Sequence, residues 1–228
     1  RKLINFLRYP TIKGSQEPIK FERIQKRMRE GILFIVSGPS GGGKTSLVKE
    51  ALRRIRNLTF SVSVTTRKPR NGEVDGRDYT FVTEDAFRDM VENGRFAEYA
   101  SVHGNLYGTP LEELEGARRS GVDMILDIDV QGARQIKEKY GTGVFCFVLP
   151  SSFGILKGRL TERGSEKTGD LEKRLSEAKR EMEEINNYDY IIINDSFDEA
   201  FDCLSAVIKS ARCEYSRAAE RIGEDYFA

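Results

Sequence analysis

The segment at residues 38–45 constrains the fold of this chain more than any other feature. It reads Gly-Pro-Ser-Gly-Gly-Gly-Lys-Thr and fits the phosphate-loop pattern G-x-x-x-x-G-K-[ST] at every defined position. An apolar run at residues 32–36 comes directly before it, and a helical stretch from about residue 44 to 56 follows directly. Strand, glycine-rich loop and helix in this order predict the nucleotide-binding start of a P-loop NTPase core.

The loop residues predict how a nucleoside triphosphate is held. Glycines let the backbone turn tightly enough for its N–H groups to point at phosphate oxygens, and the helix start adds the positive end of its dipole. Lys44 can reach the β and γ phosphates, and the Thr45 hydroxyl can ligate Mg²⁺. The residues predicted to bind the triphosphate are Gly38, Ser40, Gly41, Gly42, Gly43, Lys44, Thr45 and Ser46.

Apolar strands alternate with helical patterns along most of the chain. The strands are predicted at residues 122–128, 143–149 and 190–193, and the helices at about 130–139, 151–162, 170–187 and 197–216. Alternation of this kind predicts an α/β fold with a parallel sheet flanked by helices. Residues 60–108 break the rhythm, because Thr, Tyr, Phe and Val between turn signals there predict a small antiparallel β insertion.

Composition excludes several classes of protein. The 228 residues suit one α/β domain with insertions, and a net charge of +1 gives no sign of a nucleic-acid partner. Three widely spaced cysteines predict neither a disulfide framework nor a zinc site. No apolar run is long enough for a membrane span and no signal peptide is recognisable, so we expect a cytoplasmic protein.

The first thirty residues differ from the remainder, with nine Lys/Arg against three Asp/Glu. They are interpreted as a partly ordered basic arm. A docking or oligomer contact is the main alternative, with mitochondrial targeting a minor one. A homo-oligomer stays open, because the amphipathic stretch at about residues 201–222 fits packing on the core or on a neighbouring subunit.

Residues beyond the loop distinguish among P-loop enzymes. The N-K-x-D guanine motif of GTPases is absent from the sequence, whereas many arginines follow the loop. Transfer of a phosphoryl group between two nucleotides gathers several phosphates in one site, and guanidinium groups neutralise their charge well. This composition favours a nucleotide kinase.

Four ordered blocks then resemble the guanylate kinase family, over about residues 31–212. They lie at residues 61–79, which contain Ser-Val-Ser-Val-Thr-Thr-Arg-Lys-Pro-Arg, at 98–109, at 125–132 and at 156–175. The resemblance implies transfer of the γ-phosphoryl group of ATP to GMP, and also to dGMP, with Mg²⁺ as cofactor. It implies a basic arm (1–30), a core (31–60, 110–156 and 188–228), a GMP-binding insertion (61–109) and a helical lid (157–187).

The resemblance also implies which residues bind GMP. Guanine offers donors at N1 and N2, so a carboxylate facing them selects it over adenine. Glu98, supported by Asp129, takes that role, and the Ser63 hydroxyl lies near O6. The full GMP set is Ser63, Arg67, Arg70, Tyr79, Glu98, Tyr107, Thr109, Asp127 and Asp129. Asp127 and Asp129 close a strand that is expected to lie beside the phosphate-loop strand, and Asp127 is also a candidate for ordering Mg²⁺-bound water or an arginine.

The catalytic residues implied by the resemblance are Lys44, Arg70, Arg159 and Arg174. Arg159 and Arg163 are four residues apart, which on a helix puts both on one face to close over the ATP phosphates. Asn194 resembles the family's adenine-side contact. His103, the only histidine, is interpreted as structural, because an ionised acceptor phosphate needs no protein base.

Two alternatives stay open at this stage. The same fold occurs as an inactive protein-interaction module, although such domains typically have a damaged phosphate loop and this loop is complete. A nucleotide kinase with another acceptor is the second, and Glu98 and Ser63 argue against it. The expected partners are therefore the nucleotides ATP and GMP, with no nucleic acid and no membrane.

Overall fold

The computed structural model of the chain describes residues 30–162 and 168–214, together with residue 218. The strands are β1 (Leu33–Ser37), β2 (Leu58–Phe60), β3 (Val64–Thr65), β4 (Thr80–Phe81), β5 (Phe96–Val102), β6 (Asn105–Pro110), β7 (Asp123–Asp127), β8 (Val144–Leu149) and β9 (Tyr190–Ile193). The α-helices are α1 (Lys44–Arg54), α2 (Glu84–Glu92), α3 (Leu111–Arg119), α4 (Val130–Tyr140), α5 (Phe153–Glu162), α6 (Thr168–Glu183) and α7 (Phe197–Arg212). A single 3-10 turn follows α6 at Ile185–Asn187.

The larger sheet contains five strands in the order β2-β7-β1-β8-β9, and every neighbouring pair is parallel. Its central strand β1 is buried on both faces because apolar side chains occupy successive positions. Phe34 packs on one face with Leu47 of α1 and Leu204 of α7. Ile35 packs on the other face with Ile136 of α4. The predicted parallel sheet covered by helices on both faces is confirmed.

The smaller sheet has the order β4-β3-β6-β5. Its β3–β6 and β5–β6 pairs are antiparallel, as the sequence predicts, while β4 joins β3 in parallel. The sequence analysis did not anticipate α2, which lies between β4 and β5. Thr83 caps this helix, and its buried Phe87 stacks on Phe96 with ring centroids 4.6 Å apart. The insertion therefore has a small apolar core of its own.

The carboxyl ends of β1 and β7 bring the phosphate loop and the acidic residues together. Val36 of β1 pairs with Asp127 of β7, so the two strands end at the same edge of the sheet. The prediction that these strands are neighbours is confirmed. Parallel α/β sheets bind ligands at this edge. Residues 1–29 of the predicted N-terminal arm and most of the stretch beyond residue 214 lie outside the described residues.

Candidate functional site

The loop between β1 and α1 is shaped to hold an anion. Gly41 and Gly43 have φ angles of 85° and 90°, in the left-handed region where a side chain is strained. Lys44 folds back over the loop, and its Nζ donates to the carbonyls of Gly38 at 2.5 Å and Pro39 at 3.2 Å. No side chain caps the N-terminus of α1. The N–H groups of the first helical turn therefore have no side-chain acceptor and can donate to phosphate oxygens.

Two aspartates at the end of β7 face this loop in different ways. Asp127 Oδ2 accepts a hydrogen bond from the Thr45 hydroxyl at 2.7 Å. Asp129 caps α4 by accepting from the Gly132 N–H at 2.9 Å, and it also accepts from the Gln131 amide at 2.9 Å. Burial raises the pKa of Asp129 above its usual range. Asp127 thus contacts the phosphate loop through Thr45, while Asp129 lies near Glu98 of the smaller sheet.

Glu98 on β5 is a buried carboxylate, with only 4% of its surface exposed. Its Oε1 accepts from the Thr109 hydroxyl at 2.6 Å, and a Cβ at Gly132 would overlap its Oε2, so a side chain at that position would displace the carboxylate. Burial raises the pKa of Glu98 to about 7, and the nearby Asp129 charge acts in the same direction. The side chain therefore has unused acceptor capacity in a poorly solvated place, where a ligand's N–H groups would be bound strongly.

Arg67 contacts several side chains in and around the smaller sheet. Its guanidinium donates to both Glu73 carboxylate oxygens, at 2.9 and 3.0 Å, and its Nε donates to the Tyr107 hydroxyl at 3.1 Å. The guanidinium carbon lies 5.2 Å from the centre of the Tyr79 ring. Arg67 holds the pKa of Glu73 below its usual range, and Glu73 also accepts from the Arg70 N–H at 2.7 Å. Three of the four residues predicted to bind the GMP phosphate are in mutual contact here.

A cavity of about 230 Å³ separates the phosphate loop from the smaller sheet. Its walls contain most of the predicted residues, from both ends of the site. They are Gly38, Ser40, Gly41, Gly43, Lys44, Thr45, Ser63, Tyr79, Glu98, Tyr107, Asp127, Asp129 and Arg174. This cavity, called the main cavity below, thus joins a phosphate-binding end to a carboxylate-bearing end.

A second cavity, of about 340 Å³, lies on the other side of the loop. Ser46, Arg159 and Asn194 line it together with loop glycines. Asn194 is 5% exposed, and its amide donates to the Gly42 carbonyl at 2.7 Å. Arg159 donates to the Asn194 carbonyl at 2.7 Å. Asn194, the predicted adenine-side contact, therefore lies beside two residues predicted to bind the ATP phosphates, Ser46 and Arg159.

Two described arginines of the predicted set, Arg67 and Arg70, line neither cavity. Arg70 is exposed and contributes to the wall of neither one, although its backbone is tied to Glu73. Arg163 lies outside the described residues. Thr109 is fully buried behind Glu98 and supports it through its hydroxyl.

Sequence reasoning missed several residues of the site. Glu73 lies within the matching block at residues 61–79, but the sequence analysis assigned it no role. Glu177 and Glu181, on α6, line the main cavity three and seven residues after Arg174, so all three share one helix face. Burial raises the pKa of Glu181 to about 7. In the sequence, glutamates on a helix look the same whether they face solvent or a cavity. Only their spacing from Arg174 could have indicated that these two belong to the site.

Neither a membrane nor a bound metal is indicated by the described part of the chain. Within it, no helix has the length and apolar character needed to cross a bilayer. Over the same residues, no group of three or more His, Cys, Asp or Glu side chains is arranged to hold a metal ion. A metal at the phosphate loop would therefore depend largely on oxygens of the nucleotide and water.

Comparisons with known proteins agree with this geometry. The sequence model of the guanylate kinase family matches residues 30–211. The chain is 49% identical over 198 residues to the guanylate kinase of Geobacter metallireducens, covering 87% of this chain and 98% of that protein. It is 45% identical over 193 residues to that of Thermotoga maritima, covering 85% and 93%. The crystal structure of guanylate kinase from Anaplasma phagocytophilum superimposes with a TM-score of 0.68 at 32% identity, covering 84% and 92%.

Proposed function

The chain belongs to the guanylate kinase family, and from that membership we propose that it transfers the γ-phosphoryl group of ATP to GMP, giving ADP and GDP. The observation that carries the proposal is the main cavity, which has a phosphate loop at one end and the buried Glu98 at the other. Nothing on the described residues favours the inactive interaction module, because Lys44 and Thr45 are both present in a complete loop.

Glu98 selects the acceptor base. Its free carboxylate oxygen accepts from the N1–H and N2–H groups of guanine. Asp129 assists in recognising the same edge of the base. The Ser63 hydroxyl, on the wall of the same cavity, serves O6. Adenine offers no such donor pair and would leave a buried carboxylate unpaired, which costs on the order of 1–3 kcal/mol or more.

The GMP phosphate binds to two arginines and two phenols. The Arg67–Tyr107 hydrogen bond of 3.1 Å and the bidentate Glu73–Arg67 pair support this arrangement, because they fix the guanidinium before the ligand arrives. Arg70 and Tyr79 complete the set. Tyr79 is on the cavity wall. Thr109 contributes through Glu98, whose orientation its hydroxyl fixes.

ATP binds along the phosphate loop with its base towards the second cavity. Asn194 holds the loop through Gly42, and Arg159 approaches from α5. Arg163 is proposed to join Arg159 over the phosphates. Residues 61–109 would then form the part that binds GMP and residues 157–187 the lid that closes over both nucleotides.

Transfer depends on positioning and charge rather than on a covalent intermediate. Lys44, Arg70, Arg159 and Arg174 offset the negative charge that builds up on the transferring group, and an ionised acceptor phosphate needs no protein base. The Thr45 hydroxyl beside Asp127 fits Mg²⁺, because both supply the hard oxygen atoms that this ion prefers. When bound, Mg²⁺ supplies further neutralisation of phosphate charge.

A coupled ADP-release assay tests the proposal. The full chain is given ATP and Mg²⁺ with GMP, dGMP, AMP, UMP or TMP as acceptor, and the variant Lys44→Ala measures any contaminating kinase. We expect turnover with GMP and dGMP that the variant loses. Turnover with AMP or a pyrimidine monophosphate in place of GMP would show that the base assignment is wrong. Binding of GMP without turnover would instead indicate an interaction module.

A further inference from the structure

A contact between a histidine and a carboxylate lies on the wall of the main cavity. His103 Nδ1 lies 2.7 Å from Glu177 Oε2, and the two side chains are 35% and 32% exposed. His103 belongs to the turn between β5 and β6, whereas Glu177 belongs to α6. Both residues line the main cavity. The pair thus joins the tip of the smaller sheet to a helix 74 residues later in the chain.

The backbone of the turn does not explain why histidine occurs there. His103 and Gly104 have φ angles of 50° and 79°, so both central residues of this two-residue hairpin are left-handed. Asn and Gly fit such turns best, and a non-glycine residue at positive φ is uncommon. Histidine, like asparagine, adopts this conformation more often than most residues, and asparagine fits the turn at least as well, so the turn does not require histidine. What it adds is an imidazole long enough to reach α6.

The two elements that the pair joins carry different parts of the reaction. The β5–β6 hairpin carries Glu98 on one strand and Tyr107 on the other, which hold the base and the phosphate of GMP. The helix α6 carries Arg174 three residues before Glu177, on the same face. A contact at the tip of the hairpin therefore fixes the distance between the bound acceptor and the arginine that stabilises the transferring group.

We infer that His103 and Glu177 are positioning residues for phosphoryl transfer, holding the GMP-binding hairpin against α6 so that Arg174 meets the acceptor phosphate. The inference rests on the proposed function and deepens it. Neither side chain touches the reacting atoms in this account. Their effect passes through the hairpin on one side and the helix on the other, so their removal lowers the fraction of bound complexes that are aligned for transfer.

A double-mutant cycle tests the inference. The three variants are His103→Asn, Glu177→Gln and the two combined. Asparagine is chosen at residue 103 because it is compatible with a left-handed turn. Each single variant is expected to lower kcat/KM for GMP roughly three- to fivefold, the factor expected for one partly exposed polar contact. The double variant is expected to be no worse than either single one. Glu172→Gln is the matched control, because Glu172 lies on the exposed side of α6.

Three results would overturn the inference. Strictly additive losses in the cycle would show that the two side chains do not act together. A loss of the same size in Glu172→Gln would assign the effect to the charge of the helix. Coupling seen in the melting temperature but absent from kcat/KM would make the pair merely structural. If the wild-type chain turns over GMP and any of these results is found, only the positioning role of the pair is refuted. If the wild-type chain does not turn over GMP, the proposed function and the positioning role are both refuted.

Discussion

Replacing Glu98 by glutamine is expected to stabilise the ligand-free chain at neutral and alkaline pH while weakening its binding of GMP. Glu98 is 4% exposed, and burial raises its pKa from 4.5 to about 7. A shift of this size corresponds to about 3 kcal/mol of unfavourable free energy for the ionised side chain in the folded chain. Glutamine has nearly the same shape, stays neutral, and can still accept the Thr109 hydrogen bond.

The sign follows from the protons bound in each state. Between about pH 4.5 and 7 the folded chain keeps a proton on Glu98 that the unfolded chain has released, so this residue makes stability fall as pH rises through that window. Above pH 7 the cost is fully present, and below pH 4.5 it vanishes. The variant lacks this dependence. We therefore expect Glu98→Gln to be about 2–3 kcal/mol more stable than the wild type at pH 8 and nearly equal at pH 4.5.

Urea denaturation followed by circular dichroism at several pH values measures the difference. The matched control is Glu92→Gln, which makes the same chemical change at an exposed position on α2 and should change little at any pH. Identical pH dependence of the wild type and Glu98→Gln would refute the reasoning, because the buried carboxylate would then carry no ionisation cost. Calorimetry should show GMP binding weakened roughly 100-fold by Glu98→Gln, since the guanine donors lose a charged acceptor.

Three further outcomes are expected. Lys44→Ala should lower kcat roughly 100-fold or more while GMP affinity, measured by calorimetry, stays within about threefold. Asn194→Ala should lower stability by about 1–3 kcal/mol in thermal or chemical unfolding and weaken ATP binding, because the Gly42 carbonyl loses its buried donor. Cys146 is fully buried and its pKa is raised to about 12 by burial, so a thiol reagent should label only the two exposed cysteines of the native chain and all three after denaturation.

The sequence predicts the framework of the site well because the framework is local. The phosphate loop needs an apolar strand, glycines at fixed offsets and a helix start, and all three are contiguous in residues 32–54. The parallel sheet follows from short apolar strands separated by helical patterns. The pairing of β1 with β7 places Asp127 next to the loop, as expected from strands that both end in site residues.

Local sequence patterns do not predict contacts between segments that are distant in the chain. The helix α2 was missed because its nine residues lie inside a stretch rich in β-forming residues, and its single buried aromatic, Phe87, gives a weak periodic signal. The role of Glu73 depends on where Arg67 points. The His103–Glu177 contact requires a hairpin and a helix to meet across the cavity, and nothing in either local sequence indicates the other.

The high pKa of Glu98 is also a product of the fold rather than of the residue type. Its carboxylate is enclosed by Thr109 and by Gly132, where a side chain would overlap it, and the Asp129 charge lies nearby. In the ligand-free chain the Glu98 carboxylate is shielded from water, which makes its ionised form unfavourable. A ligand that brings two N–H donors offsets this desolvation free energy by hydrogen bonding to the carboxylate. A base without those donors leaves this desolvation free energy without compensation. In the proposed function, discrimination for guanine therefore rests on the cost of a carboxylate left unpaired by the wrong base as well as on the hydrogen bonds made to the right one, so a more solvated Glu98 would distinguish the bases less well.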